Sequence, residues 1–203
     1  MIPRVDIEIE SDIPAGATFW TPVPDDIGDE GFGFFQDVWP ILDVSENEAS
    51  EVIDAERVAV AFADSGSTDE REFEDLAKAI EDEYPDSLGD DAQAFMADSG
   101  WGGLESLELG VAGLVYALAA CGFFPAASCR SHYDGMSSWS EYPVVMFAAD
   151  EMHTQKLQPF IEASGCGLEG DSARSDLLCI YAPSIVEMML LASALIAAKA
   201  TFD

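Results

Sequence analysis

Cys129 and His132 stand three residues apart, with Arg130 between them and Asp134 just beyond. A thiol and an imidazole at that spacing at the end of a strand can chelate one zinc ion. Zinc takes four protein ligands in structural sites and three in catalytic ones. The remaining ligands would come from Cys166, His153 or Asp134, and Cys129, His132 and Cys166 form the metal set expected here. No second C-x-x-C or C-x-x-H occurs in the chain. Zinc is the one cofactor the pattern suggests, and without it none is expected. The same residues could instead carry a reactive thiol. A cationic His132, with Arg130 beside it, would favour the Cys129 thiolate. A nucleophile also needs an orienting partner and an oxyanion site, and neither is legible. A third chemistry is anion binding, in which Arg130 among Ser128 and Ser131 holds a carboxylate or phosphate. Asp134 and Trp139 would line that pocket. The plain alternative to all three is that Cys129 is a small core residue, His132 holds a loop, and Arg130 neutralises nearby acids. Gly165-Cys166-Gly167 is not a phosphate loop, because it lacks the G-x-x-x-x-G-K-[ST] pattern. Gly165 reads as a helix C-cap.

These residues need elements to position them. An apolar run from Leu107 to Cys121 reads as a helix ended by Gly122. A short strand then delivers Ser128 to His132 into a polar loop. A second strand covers Tyr142 to Ala149, a helix ends near Gly165, and a third strand covers Leu177 to Ala182. The dozen-residue loop between the first two strands suits an antiparallel pair. The helix between the second and third suits a parallel crossover. Ser184-x-x-Glu187 opens a last helix, apolar almost all round, which would be central or buried in a homodimer interface.

The first half reads differently. Val5 to Glu10 alternates apolar and acidic residues, as a half-exposed strand does. Residues 14–44 are rich in Pro, Gly and aromatics and read as a loop pinned to the core by Phe19, Trp20 and their neighbours. Ser45-x-x-Glu48 is a capping box for a helix through about Ile53. Val58, Val60 and Phe62 alternate with Ala, which suggests a strand over Arg57 to Ala63, although Ala also suits a continued helix. Ser67-x-x-Glu70 is a second capping box. Phe73, Leu76, Ala77, Ile80 and Tyr84 then recur at helical spacing. The outer face of that helix would carry Asp69, Glu70, Glu72, Asp75, Glu81, Asp82 and Glu83. A short helix over 91–98 and a hinge at Ser99 to Gly103 complete this half. The fold class is thus α/β or α+β. A small mixed sheet of about three strands would lie in residues 99–203, behind an acidic, helix-rich region over residues 1–98. The two could also form one continuous domain.

Charge sets the functional expectation. The net charge is −32 over 203 residues, and 49% of residues are hydrophobic, enough for a sizeable core. Residues 1–100 hold 28 acidic and 4 basic residues, against 12 and 4 in the remainder. Such a surface repels nucleic acid and anionic membranes and attracts basic proteins. No calcium-loop pattern is present. Nor is there a basic leader with an apolar run, or a run of ~20 apolar residues, so a cytoplasmic protein with reduced cysteines is expected. Docking competes with salt adaptation and simple solubility as the reason for the acidity. The uneven charge favours docking, because salt adaptation should acidify every exposed face. The expectation is an acidic intracellular binding or regulatory protein for a basic protein partner, of inhibitor or immunity type, its carboxylates mimicking nucleic acid. An enzyme or ligand-binding protein using the Cys129 loop is the alternative.

Overall fold

Helix formation in the first half begins at Ser45. The computed structural model describes residues 1–23, 26, 43–81, 107–132, 140–170 and 174–202. The Ser45 hydroxyl accepts from the Glu48 N–H at 3.2 Å, and the Glu48 carboxylate accepts from the Ser45 N–H at 2.8 Å. The capping box therefore closes both ways and opens α1 (Glu46–Gly66). This helix does not stop near Ile53. Arg57 to Ala63, expected as a strand, continues it. Alanines carry the backbone through, and Ile53, Val60 and Ala63 fall on one buried stripe while Val58 points out, 51% exposed. The second expected box also shifts. Ser67 serves as the C-cap of α1, and Asp69 accepts from the Glu72 N–H at 2.9 Å to start α2 (Glu70–Glu81). Phe73, Ala77 and Ile80 of α2 are fully buried. The expected helix over 91–98 and hinge over 99–103 lie outside the described residues.

In the second half α3 (Ala112–Ala120) is followed by β1 (Phe124–Cys129), β2 (Val144–Ala148), α4 (Glu151–Ser164), β3 (Gly167–Gly170), β4 (Leu178–Tyr181) and α5 (Ile185–Ala197). Gly122 and Gly165, at φ +83° and +79°, end α3 and α4 in the left-handed conformation that glycine tolerates. Ser184 caps α5 by accepting from the Val186 N–H, but Glu187 binds Arg4 instead of closing a box. Among the described residues the sheet has four strands in the order β1-β2-β4-β3, all neighbours antiparallel. Two expectations fail here. β3 goes unread because Gly-Leu-Glu-Gly carries no alternation and is flanked by glycine. The crossover through α4 does join parallel strands, but they are β2 and β3. β4 returns antiparallel between them, so β2 and β4 are not a parallel pair.

The two sheet faces are covered by different material. Val145 and Phe147 of β2, with Leu178 and Ile180 of β4, face a core shared with Ile53, Phe73, Leu114, Leu157 and Leu191 from the helices. α3 packs between α1 and α5 at its centre. That core draws on both halves of the chain. Val144, Met146, Cys179 and Tyr181 face the other way, with Cys129, where Ile7, Ile9 and Trp20 pack on them. The N-terminal segment alternates half-buried and exposed from Val5 to Glu10, as its pattern requires. It forms no strand, however. It is tied by isolated bonds, Val5 N–H to the Pro183 carbonyl at 2.9 Å and Leu168 N–H to the Glu10 carbonyl at 2.8 Å. Trp20 is pinned by its indole N–H to the Asp176 carbonyl at 2.6 Å. α5, read as apolar all round, buries Ile185, Met188, Leu191 and Leu195 but leaves Leu190 56% exposed. Among the described residues, no helix is long and apolar enough to cross a membrane.

A buried charge cluster at the end of the first strand

β1 ends at Cys129, and the chain leaves the sheet directly into charged contacts. Arg130 is 2% exposed. Its Nη2 donates to Glu74 Oε1 at 2.9 Å, and its Nη1 donates to Glu81 and to the Leu109 carbonyl. Glu74 and Glu81 lie seven residues apart, two turns along α2, so one guanidinium can bridge them. Ser131 then adopts a left-handed backbone, φ +67°. His132 follows, with Nδ1 2.6 Å from Glu74 Oε1 and Nε2 2.9 Å from Glu108 Oε1. The other Glu108 oxygen accepts from the Arg130 backbone N–H, and the Ser131 N–H donates to Cys129 Sγ at 3.4 Å.

Hydrogen bonds to the Glu108 and Glu74 carboxylates push the His132 pKa up to about 10, against a smaller effect of burial. The ring is therefore an imidazolium at neutral pH, donating from both nitrogens. Burial alone would raise Glu74 and Glu108, but their bonds to His132 and the Arg130 charge hold both carboxyls below the usual range. Burial raises Glu81, with Arg130 and the Leu109 N–H opposing it. The flanking carboxylates raise Arg130 further, so it stays charged. Glu74 Oε2 and Arg130 Nε are buried with no hydrogen-bond partner among the described residues.

A fourth inward-facing acid lies nearby. Glu56 of α1 is 1% exposed and accepts from the Gly110 N–H at 2.8 Å and the Gly113 N–H at 3.2 Å, at the start of α3. Burial pushes its pKa up to about 7 despite these donors. Gly113 makes the contact possible, since a Cβ there would lie 2.4 Å from Glu56 Oε2.

The structure brings some of the expected residues together and separates others. Cys129 and His132 meet, and the donor atoms of Glu108, Cys129 and His132 all lie within 4.8 Å of one another. Cys166 does not join them. It precedes β3, and two strands separate β3 from β1, a span of about 14 Å at ~4.8 Å per strand. It is buried in the helix-side core, where burial pushes its thiol up to about 12. His153 is bound to Asp150 at 2.8 Å, at the start of α4. All four cysteines are buried and none forms a disulfide. Arg130 is spent on Glu74 and Glu81 rather than presented to an anion. Glu81, expected on the outer face of α2, points inward to Arg130. Asp69, Glu72 and Asp75 are exposed as expected, and Glu70 partly so. Asp82, Glu83, Asp134 and Trp139 lie outside the described residues.

Sequence reasoning missed Glu56, Glu74 and Glu108. A signal was present in each case. Glu56 follows Ile53 by three on the buried stripe of α1, Glu74 adjoins Phe73, and Glu108 sits between Leu107 and Leu109. An acid at an apolar position demands a buried partner.

Compared with known proteins, the chain has no significant match to a family model, a curated protein or a solved structure.

Proposed function

We propose that this is an acidic binding protein that docks on a basic protein partner in a regulatory, inhibitory or immunity-type role. The supporting observation is how its carboxylates divide. The inward ones, Glu56, Glu74, Glu81 and Glu108, are each matched by backbone N–H groups, Arg130 or His132. The outward ones are in surplus. Along α1, α2 and the turn between them Glu46, Glu48, Glu51, Asp54, Asp64, Asp69, Glu72 and Asp75 are exposed, against exposed Arg57, Arg71 and Lys78. Some of these acids also bond locally: Glu48 and Asp69 cap helices, Glu72 accepts from the Thr68 N–H and hydroxyl, Glu51 accepts from Asn47, Asp54 pairs with Arg57, and Asp64 with the N-terminal amine. Those bonds leave the carboxylates exposed, so together they offer a basic surface an excess of negative charge. Such a field speeds encounter and fixes orientation more than it raises intrinsic affinity.

The test is capture from a lysate of the source cells on immobilised protein at low salt, followed by a sodium chloride series. A basic protein should be retained, then released as the Debye length falls below about 10 Å near 0.1 M salt. The combined Asp69→Lys, Glu72→Lys, Asp75→Lys variant should lose it. Retention of nothing, or equal retention by the variant, would overturn the proposal.

A further inference from the structure

We propose that Glu108, Cys129 and His132 form a binding site for one zinc-class divalent ion. It is independent of docking on the α1 and α2 surface. One carboxylate, one thiol and one imidazole make a donor set that zinc accepts and that calcium or magnesium does not favour. Zinc bonds of about 2.0–2.3 Å place tetrahedral ligand atoms about 3.3–3.8 Å apart. The three donors already lie within 4.8 Å of one another, so the widest separation need close by only about 1–1.5 Å.

The surroundings resemble those of a built ligand set. Glu74 Oε1 sits 2.6 Å from Nδ1 of His132, which leaves Nε2 as the nitrogen turned toward Glu108. A carboxylate on the far nitrogen is the usual means of orienting a metal-bound histidine. Arg130 in turn fixes Glu74 at 2.9 Å. The Ser131 N–H, aimed at Cys129 Sγ by its left-handed backbone, would support a thiolate. An ion between the three donors takes the place of the hydrogen bond between Nε2 and Glu108, and as it binds, the Nε2 proton and the Cys129 thiol proton leave to solvent. Three protein ligands leave a fourth position for water or a substrate atom, the ligand count of catalytic rather than closed structural zinc sites. Each donor comes from a different local setting: the turn before α3, the last residue of β1, and the loop after it.

The test titrates Co2+ and then Zn2+ into the reduced, metal-stripped full chain. One equivalent of Co2+ should bind with a thiolate-to-cobalt charge-transfer absorption, and Zn2+ should displace it. Cys129→Ser should abolish that absorption, and Glu108→Gln and His132→Gln should weaken binding at least tenfold. Cys166→Ser should leave both unchanged. Zinc X-ray absorption on the unaltered protein needs no variant and so stands even if a substitution prevents folding. One sulfur with nitrogen and oxygen neighbours supports the site. An all-oxygen shell, or Co2+ absorption without thiolate character, would mean loose binding to surface carboxylates and would overturn it. A thiolate signal that survives Cys129→Ser but is lost in Cys166→Ser would overturn it too.

Discussion

On the outer side of α2, Asp69, Glu72 and Asp75 stand in solvent, while on the inner side of the same helix Glu74 and Glu81 are turned onto Arg130. The side chains are chemically alike, yet their energetics are opposed. An exposed carboxylate keeps its water, and a pair made there is worth well under ~1 kcal/mol. A buried one has lost its water, so removing its partner strands a charge and costs several kcal/mol. The inner acids therefore define the fold locally, whereas the outer acids contribute to it only through exposed bonds at the start of α2. The same contrast holds on α1 between buried Glu56 and exposed Glu51 and Asp54.

Four perturbations bear on this contrast. The largest effect belongs to Arg130. Arg130→Met leaves Glu81 without a cation and Glu74 with His132 alone, and should cost about 3–5 kcal/mol in urea unfolding. Arg130→Lys should recover only part, because a single ammonium cannot bridge both carboxylates as the guanidinium does. A loss below about 1 kcal/mol would place these acids in the same class as the outer ones.

Glu56 comes next. Its carboxyl keeps a proton in the folded chain up to about pH 7, whereas in the unfolded chain it loses it near 4.5. The native state binds the extra proton across that window, so stability should fall as pH rises from about 4.5 to 7 and level off above. The drop is about 3 kcal/mol. Unfolding curves for the unaltered protein and Glu56→Gln should diverge across this window, and parallel curves would show that the Gly110 and Gly113 donors outweigh burial.

His132 acts in the alkaline range. Its folded pKa is raised to about 10, so its contribution is complete below about 6.5 and is lost as pH rises through 10. The side chain is 13% exposed, and its two charge-assisted bonds should contribute about 2 kcal/mol. His132→Gln should remove this alkaline decline in melting temperature, and an equal decline in the variant would assign it to other groups. The smallest effect on stability belongs to the outer acids. The combined lysine substitutions at Asp69, Glu72 and Asp75 should change unfolding free energy by no more than about 1–2 kcal/mol in total, most of it from the Asp69 cap. A much larger loss would mean that the outer carboxylates also hold the fold.

How far the fold was legible follows from the range of each signal. Capping at Ser45, the amphipathic face of α2, the left-handed ends at Gly122 and Gly165, and strands β1, β2 and β4 were all readable. Each is written in residues within a few positions of one another. Misreadings arose where local signals were degenerate. Alternating Val and Ala from Arg57 to Ala63 satisfy a strand and a helix alike, and only packing against α3 and α5 chose the helix.

The sequence by itself determined an apolar interior, an acidic surface weighted to the first hundred residues, and the proximity of Cys129 and His132. Tertiary structure alone decided that β4 enters between β2 and β3, that Glu81 turns inward, and that Glu108 rather than Cys166 stands beside the thiol and imidazole. The physical reason is distance along the chain. His132 meets Glu74 across 58 residues, Arg130 meets Glu81 across 49, and Gly110 meets Glu56 across 54. A carboxylate's partner, its desolvation and hence its protonation are properties of that meeting, and no local pattern of residues encodes them.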